Sequence, residues 1–371
     1  MRNRRSVAGV AAALAVAAIA FAGCGDDDDE SAPAVKDRPA PSMDLFPSAD
    51  GKTLAEVLNE ADGPSGLVVS PASQVFYVGE NRYSFGVFTR GAEQVPDAEV
   101  ALYFSRVPQP TGAVAPVTGL GEQAERAARG QQPIPTPKPE SQSSLQNALA
   151  NPAIGPFPAA VQSLETKPAF RAQTTANDPD TAIAVYTTEI EFPKNGEWRI
   201  GALIRQGEEL TATLLPSAVV GQFTEVPRVG ERPPAIRTPT AADVGGDLAS
   251  IDTRIPPDTQ HGDDFSEVLG REPVALLFAT PQFCQSRVCG PVVDIAEQVK
   301  QDYGDEVAFI HMEIYNDNDP GKGVRPQVRA FHLPSEPWLF VIDRNGVIRT
   351  EIEGAFGLDE LDRVIRGVTS G

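Results

Sequence analysis

The sequence predicts a multidomain chain: an all-β sandwich followed by an α/β domain, behind an apolar leader and an acidic stalk. Three observations predict this. Short alternating apolar runs with turn residues between them recur from 67 to 215. An unbroken apolar run at 274–279, Val-Ala-Leu-Leu-Phe-Ala, opens a strand and helix succession that continues to the C-terminus. Proline-rich stretches at 108–168 and 226–262 hold eleven and six prolines and interrupt the patterning.

The chain has 371 residues and is 41% hydrophobic, enough for two cores of ordinary size. Its net charge is −20, and the only charges in the first 24 residues are Arg2, Arg4 and Arg5, so the remainder is more acidic still. That excludes nucleic acid, which rewards a basic face. It also excludes electrostatic docking on anionic lipid.

The leader has a basic start, an apolar stretch at 7–22 that is short for a spanning helix, and small residues before Cys24 in Phe21-Ala22-Gly23-Cys24. This resembles the lipobox of bacterial lipoproteins, with Phe21 where Leu is usual. The resemblance implies cleavage after 23, lipidation of Cys24, and anchoring to the cell membrane on its extracytoplasmic face. Acyl chains contribute ~0.8 kcal/mol per buried CH₂, so two or three of them hold stably. Residues 24–64, with the acid run Asp26 to Glu30, are expected to form a disordered tether.

The expected sandwich covers 65–225. Val75-Phe76-Tyr77-Val78 leads into Tyr83 to Phe88; Val100, Leu102 and Phe104 mark one face of a later strand; Pro193-Lys194-Asn195-Gly196 is a turn before Trp198. Residues 108–168 are expected to be a low-complexity insertion in a loop. The stretch Glu191 to Trp198 resembles the immunoglobulin-like domains of the YtkA type found in bacterial envelope proteins. Trp198 is expected in the core. Residues 226–262 are expected to be a linker.

In the C-terminal part, 263–371, the apolar strand runs into Thr280-Pro281-Gln282-Phe283-Cys284-Gln285-Ser286-Arg287-Val288-Cys289-Gly290-Pro291. A helix follows with Pro291 in its first turn, then a strand at 307–314, then Pro337 before Trp338-Leu339-Phe340-Val341-Ile342, an Asn345-Gly346 turn, a pairing strand and a closing helix. Strand, Cys loop, helix, strand, proline strand, hairpin and helix in this order resemble the thioredoxin superfamily, its membrane-attached members above all. The resemblance implies an α/β thioredoxin-like domain. It implies a redox-active pair, Cys284 and Cys289, and a cis Pro337 that, with Glu336, presents backbone to substrate.

A bridge between cysteines five apart adds only about 2 kcal/mol by chain entropy, which is little for a structural staple. A thiolate before a helix N-terminus is favoured, and Arg287 is a second candidate for lowering its pKa. Two features depart from the superfamily. Four residues separate the cysteines instead of two, with Val292 where the second Cys would stand. The strand before them lacks the buried acid that thioredoxins use to move protons. Strand register favours Cys284 as nucleophile, the helix dipole favours Cys289, and register is weighted more.

The expected function is thiol–disulfide exchange with exported protein thiols or disulfides, without a cofactor. One alternative is a copper carrier resembling the Sco proteins, with Cys284, Cys289 and His332 as ligands, since soft thiolates suit Cu(I). Another is a non-catalytic binding lipoprotein with a fixed disulfide. His311, inside a strand, and His261, in the linker, are read as ordinary structural residues.

Overall fold

The structure is a computed structural model that describes residues 35–108, 149–284 and 286–370. Cys24, the acid run and residues 109–148 of the insertion lie outside them. Val35–Gly371 forms one compact unit.

Its first part runs through α1 (Leu54–Leu58), β1 (Gly63–Pro64), β2 (Val68–Pro71), β3 (Gly79–Phe88), β4 (Glu99–Arg106), β5 (Ala153–Pro158) and β6 (Ala160–Ser163). It continues with α2 (Gln173–Ala176), β7 (Ala184–Phe192), β8 (Gly196–Gln206) and β9 (Glu209–Val220). The strands form two sheets, in the orders β1-β9-β8-β4-β5 and β2-β3-β7-β6. Side chains from both sheets share one core, where Phe76, Tyr83, Phe85, Phe104, Tyr186, Phe192 and Trp198 meet. Phe104 and Phe192 pack edge to face at 5.3 Å between centroids. The expected sandwich and the core position of Trp198 are both present; the indole N–H donates to the Lys194 carbonyl at 3.1 Å.

Two expectations need correction. The segment read as a tether is folded from residue 35 onward. A capping box at Thr53 and Glu56 starts α1. Phe46, Leu54 and Val57 pack on Ala101, Tyr103 and Leu203, the outer side of the five-stranded sheet. That cover explains why β4 is buried on both faces. Leu54→Ala is expected to cost about 2–5 kcal/mol in urea unfolding, as for a buried leucine. A surface-like loss of a few tenths would show that this cover is dispensable.

The proline-rich insertion also contributes structure. Its end supplies β5, paired to β4, and β6, paired to β7. Both are edge strands, where Pro156 and Pro158 remove no central ladder hydrogen bond. Chain composition suggested a loop because proline marks edges as well as loops.

The second part contains α3 (Phe265–Val268), β10 (Val274–Phe278), α4 (Cys289–Tyr303), β11 (Ala308–Met312), α5 (Pro326–Ala330), β12 (Trp338–Ile342), β13 (Ile348–Glu353) and α6 (Leu358–Thr369). The sheet order is β11-β10-β12-β13. β10 and β11 are parallel, joined by α4, whereas β12 and β13 are antiparallel additions. This is the order and direction of strands that the thioredoxin resemblance implies. β10 is apolar throughout because both its faces are covered. Val274, Leu276 and Phe278 face one core, and Ala275 and Leu277 face another against α4 and α6.

The two parts share these cores. Val75 and Tyr77 join the first, and Leu164, Ala182 and Val185 the second. Arg82 forms a bidentate pair with Glu360 at 2.8–2.9 Å. Glu353 accepts the backbone N–H groups of Gln74 and Val75, both at 2.9 Å. The segment 226–262, read as a linker, is a packed strap. Ile251, Asp252, Arg254, Asp258, Gln260 and His261 are buried along it.

Candidate active site

The site is assembled where β10 ends and α4 begins. β10 delivers the chain to Thr280, and Cys284 follows a short turn. Cys289 is the first residue of α4, so its backbone N–H is unpaired within the helix. That N–H points at Cys284 Sγ, 3.2 Å away. The helix terminus therefore serves Cys284, and the opposition between strand register and helix dipole disappears. Both thiols are free, Cys284 partly exposed and Cys289 buried.

Burial opposes ionisation of Cys284. Hydrogen bonds from the Cys289 thiol, the Ser286 hydroxyl and the N–H groups of Cys289 and Val288 outweigh it and lower its pKa to about 6. Burial pushes the Cys289 thiol well above its ordinary value, and its hydrogen bond to Cys284 and the nearby Glu336 add to this. One sulfur is poised as a thiolate and the other is kept protonated.

Glu336 lies beside the pair, and the Glu336–Pro337 peptide bond is cis. Ser286 Oγ stands 3.3 Å from Cys284 Sγ and 3.5 Å from the Glu336 carbonyl, so it bridges the Cys loop and the proline loop. Ligand atoms of Cys284, Cys289 and Glu336 lie within 4.8 Å of one another. His332 does not join them. It is half exposed, and its Nδ1 is 3.5 Å from Glu225. Arg287 also turns away, pairing with Asp180 at 2.8 Å, so it supplies no charge at the thiolate. His332, expected from the Sco-like resemblance, and Arg287, expected from its nearness in sequence, both have other partners.

Sequence reasoning missed Ser286, a loop serine with no distinguishing pattern. It also missed Glu313, a fully buried acid just beyond β11 that accepts from Thr253 N–H at 2.8 Å and from the Thr253 hydroxyl at 2.5 Å. Burial raises its pKa. Glu313 follows β11, the strand parallel to β10.

A cleft of about 530 Å³ opens beside the site between the two parts. Ser286, Ser335 and Glu336 line one side, and Ser70, Pro71, Gln74 and Ser217 line the other. Trp338 Nε1 donates to Ser335 Oγ at 2.9 Å, and Ser335 donates to Glu353, which also holds Gln74 and Val75. This chain of bonds ties the sandwich wall of the cleft to the proline loop.

No family profile and no curated protein matches the chain. Among solved structures, it is similar to one described as the thiol:disulfide interchange protein DsbE of Chlorobium tepidum. Identity is 16%, coverage 38% of this chain and 99% of that one, and the TM-score 0.28. A protein disulfide isomerase of Bacteroides thetaiotaomicron is similar at 16% identity, covering 39% and 92%, with TM-score 0.28. A thioredoxin family protein of Chlorobium tepidum TLS is similar at 17% identity, covering 38% and 97%, with TM-score 0.27. No helix among the described residues is long and apolar enough to cross a membrane.

Proposed function

We propose that this chain is a thiol–disulfide oxidoreductase, held to the extracytoplasmic face of the cell membrane through lipidated Cys24 and acting on exported proteins. The observation that carries the reading is the asymmetry of the pair: a partly exposed Cys284 with a pKa of about 6 beside a buried, protonated Cys289. In the reductive direction the Cys284 thiolate attacks a substrate disulfide. The substrate S–S bond breaks, one substrate sulfur leaves as a thiolate, and the other is joined to Cys284. Cys289 then gives its proton to the first substrate thiolate and attacks Cys284 Sγ, releasing the second substrate thiolate and leaving the Cys284–Cys289 disulfide. Oxidation of a substrate dithiol runs the same steps backwards.

The cleft is the proposed seat of the substrate chain, with Glu336 and Pro337 as its contact at the sulfur. The sandwich, which we take to be immunoglobulin-like, supplies the opposite wall. No cofactor enters these steps. The Sco-like alternative takes His332 as its third ligand, but His332 Nδ1 stands 3.5 Å from Glu225, and the group beside the sulfurs is Glu336, a hard oxygen donor poorly matched to Cu(I).

Trapping tests the reading. Cys289→Ala should accumulate mixed disulfides with exported partners, and Cys284→Ala should not. The disulfide of the wild-type protein should have a reduction potential above about −300 mV, outside the usual structural range. No adduct from either variant, with a potential below that range, would leave only a binding lipoprotein with a fixed disulfide.

A further inference from the structure

Away from the sulfurs, the strap brings two carboxylates and an imidazole against a second imidazole on β11. Asp252, Asp258, His261 and His311 are all buried, and one ligand atom from each lies within 4.8 Å of the others. His261 Nε2 is 3.2 Å from Asp252 Oδ2 and 3.4 Å from Asp258 Oδ1. His311 Nδ1 is 2.7 Å from Asp258 Oδ2 and 3.8 Å from Asp252 Oδ1. These contacts use both oxygens of each carboxylate; an ion taking one oxygen from each Asp and one nitrogen from each His draws on four atoms that all lie within 4.8 Å of one another.

The surroundings are those of ligands held in place. His311 Nε2 stands 3.2 Å from the Ala279 carbonyl. A proton placed there leaves the Nδ1 lone pair facing the carboxylates, the usual backing of a metal-bound histidine. Asp252 is oriented by the N–H groups of Arg254 and Asp258, both at 2.7 Å, and Asp258 by the N–H of Gln260 at 2.8 Å.

We propose that Asp252, Asp258, His261 and His311 form a closed structural site for one divalent cation of the zinc type. Two carboxylates and two neutral imidazoles give a charge of −2 that such an ion balances, and two nitrogen and two oxygen donors with no open position suit Zn²⁺. The ion clamps the proline-rich strap to β11. Through Ala279 it braces the end of β10, just before the Cys loop.

The test uses the full chain without a polyhistidine tag, in a Cys284→Ala/Cys289→Ala background, so that metal held by sulfur is removed from the count. Elemental analysis should find about one Zn²⁺ per chain, and X-ray absorption should show only N and O neighbours, including imidazole. Chelation should lower Tm, and added Zn²⁺ should restore it. Titrated Co²⁺ should give the visible bands of a tetrahedral site, and Asp258→Asn should lose them. A double variant that folds, holds no metal, binds neither Zn²⁺ nor Co²⁺ and keeps its Tm under chelation overturns the site. The four side chains are then a metal-free Asp–His network. Metal found only in the wild type, with sulfur neighbours, overturns it equally.

Discussion

Alkylation of the reduced protein is expected to label Cys284 with a rate that rises through a midpoint near pH 6 and levels off about one unit higher, while Cys289 stays protected. The lowered pKa of about 6, against 9.0 for an unperturbed thiol, sets the size of the effect. At pH 5 roughly one Cys284 in ten is ionised, against about one in ten thousand for the ordinary thiol, a ratio of about 1,000. Low pKa also weakens the nucleophile, by about 20-fold over three units at a Brønsted coefficient near 0.45, so a net advantage of about 40-fold remains. Ser286→Ala should move the midpoint upward, because it removes a hydrogen bond to the thiolate. Arg287→Ala should leave it in place, because that guanidinium is on Asp180. A midpoint above pH 8 in the wild type would end the activated-thiolate reading.

The same shift links redox state to pH. A folded pKa below the unfolded one stabilises the reduced protein fully above the unfolded value, and that stabilisation is lost as pH falls through about 6. The raised pKa of Cys289 acts only above the ordinary thiol range, so the window from about 6 to 9 belongs to Cys284. A disulfide has no thiolate to stabilise. Within that window the reduced state therefore gains on the oxidised one, which favours accepting electrons from a substrate dithiol.

Much of the C-terminal site was legible because its signals are local. A doubly covered strand has to read as an apolar run, and β10 does. The Cys loop, the following helix and the proline before β12 keep their order in the chain whatever else surrounds them. The parts that were not legible depend on polar side chains meeting across long separations. Asp252, Arg254, Asp258 and His261 sit in irregular backbone with prolines at 256 and 257, where no period marks an inward face. Composition alone makes such a segment look like a free linker. One signal was available. Two acids, an arginine and one of only three histidines within ten residues are dense chemistry for a spacer. A second signal lay in β4, whose Val100-Ala101-Leu102-Tyr103-Phe104 is apolar on both faces and so demanded a cover from elsewhere in the chain.

Arg254→Ala is expected to destabilise the protein by about 3–5 kcal/mol, the usual cost of breaking a buried ion pair from one side. Arg254 Nε bonds Asp294 Oδ1 at 2.8 Å, and both side chains are buried. The other guanidinium nitrogens donate to the carbonyls of Pro256 at 2.8 Å and Phe170 at 2.6 Å. One side chain thus joins the strap, the segment before α2 and the middle of α4. Asp294 also accepts the Ala172 N–H at 3.1 Å, and burial already pushes its pKa upward. Without the arginine the carboxylate must either stay charged in a dry site or take up a proton. A loss of this size is a large part of the ~5–15 kcal/mol that holds a domain folded. Urea unfolding of Arg254→Ala, Asp294→Leu and the pair Arg254→Met/Asp294→Leu measures it. Each single change should be costly, and the double change should recover most of the loss, since no unpaired charge remains. The fragment 263–371 lacks Arg254 as well as Val75, Tyr77, Leu164 and Val185, and it should unfold at lower urea than the full chain. Equal stability of that fragment, or a loss below about 1 kcal/mol in Arg254→Ala, would show that the strap only lies against the C-terminal part without holding it.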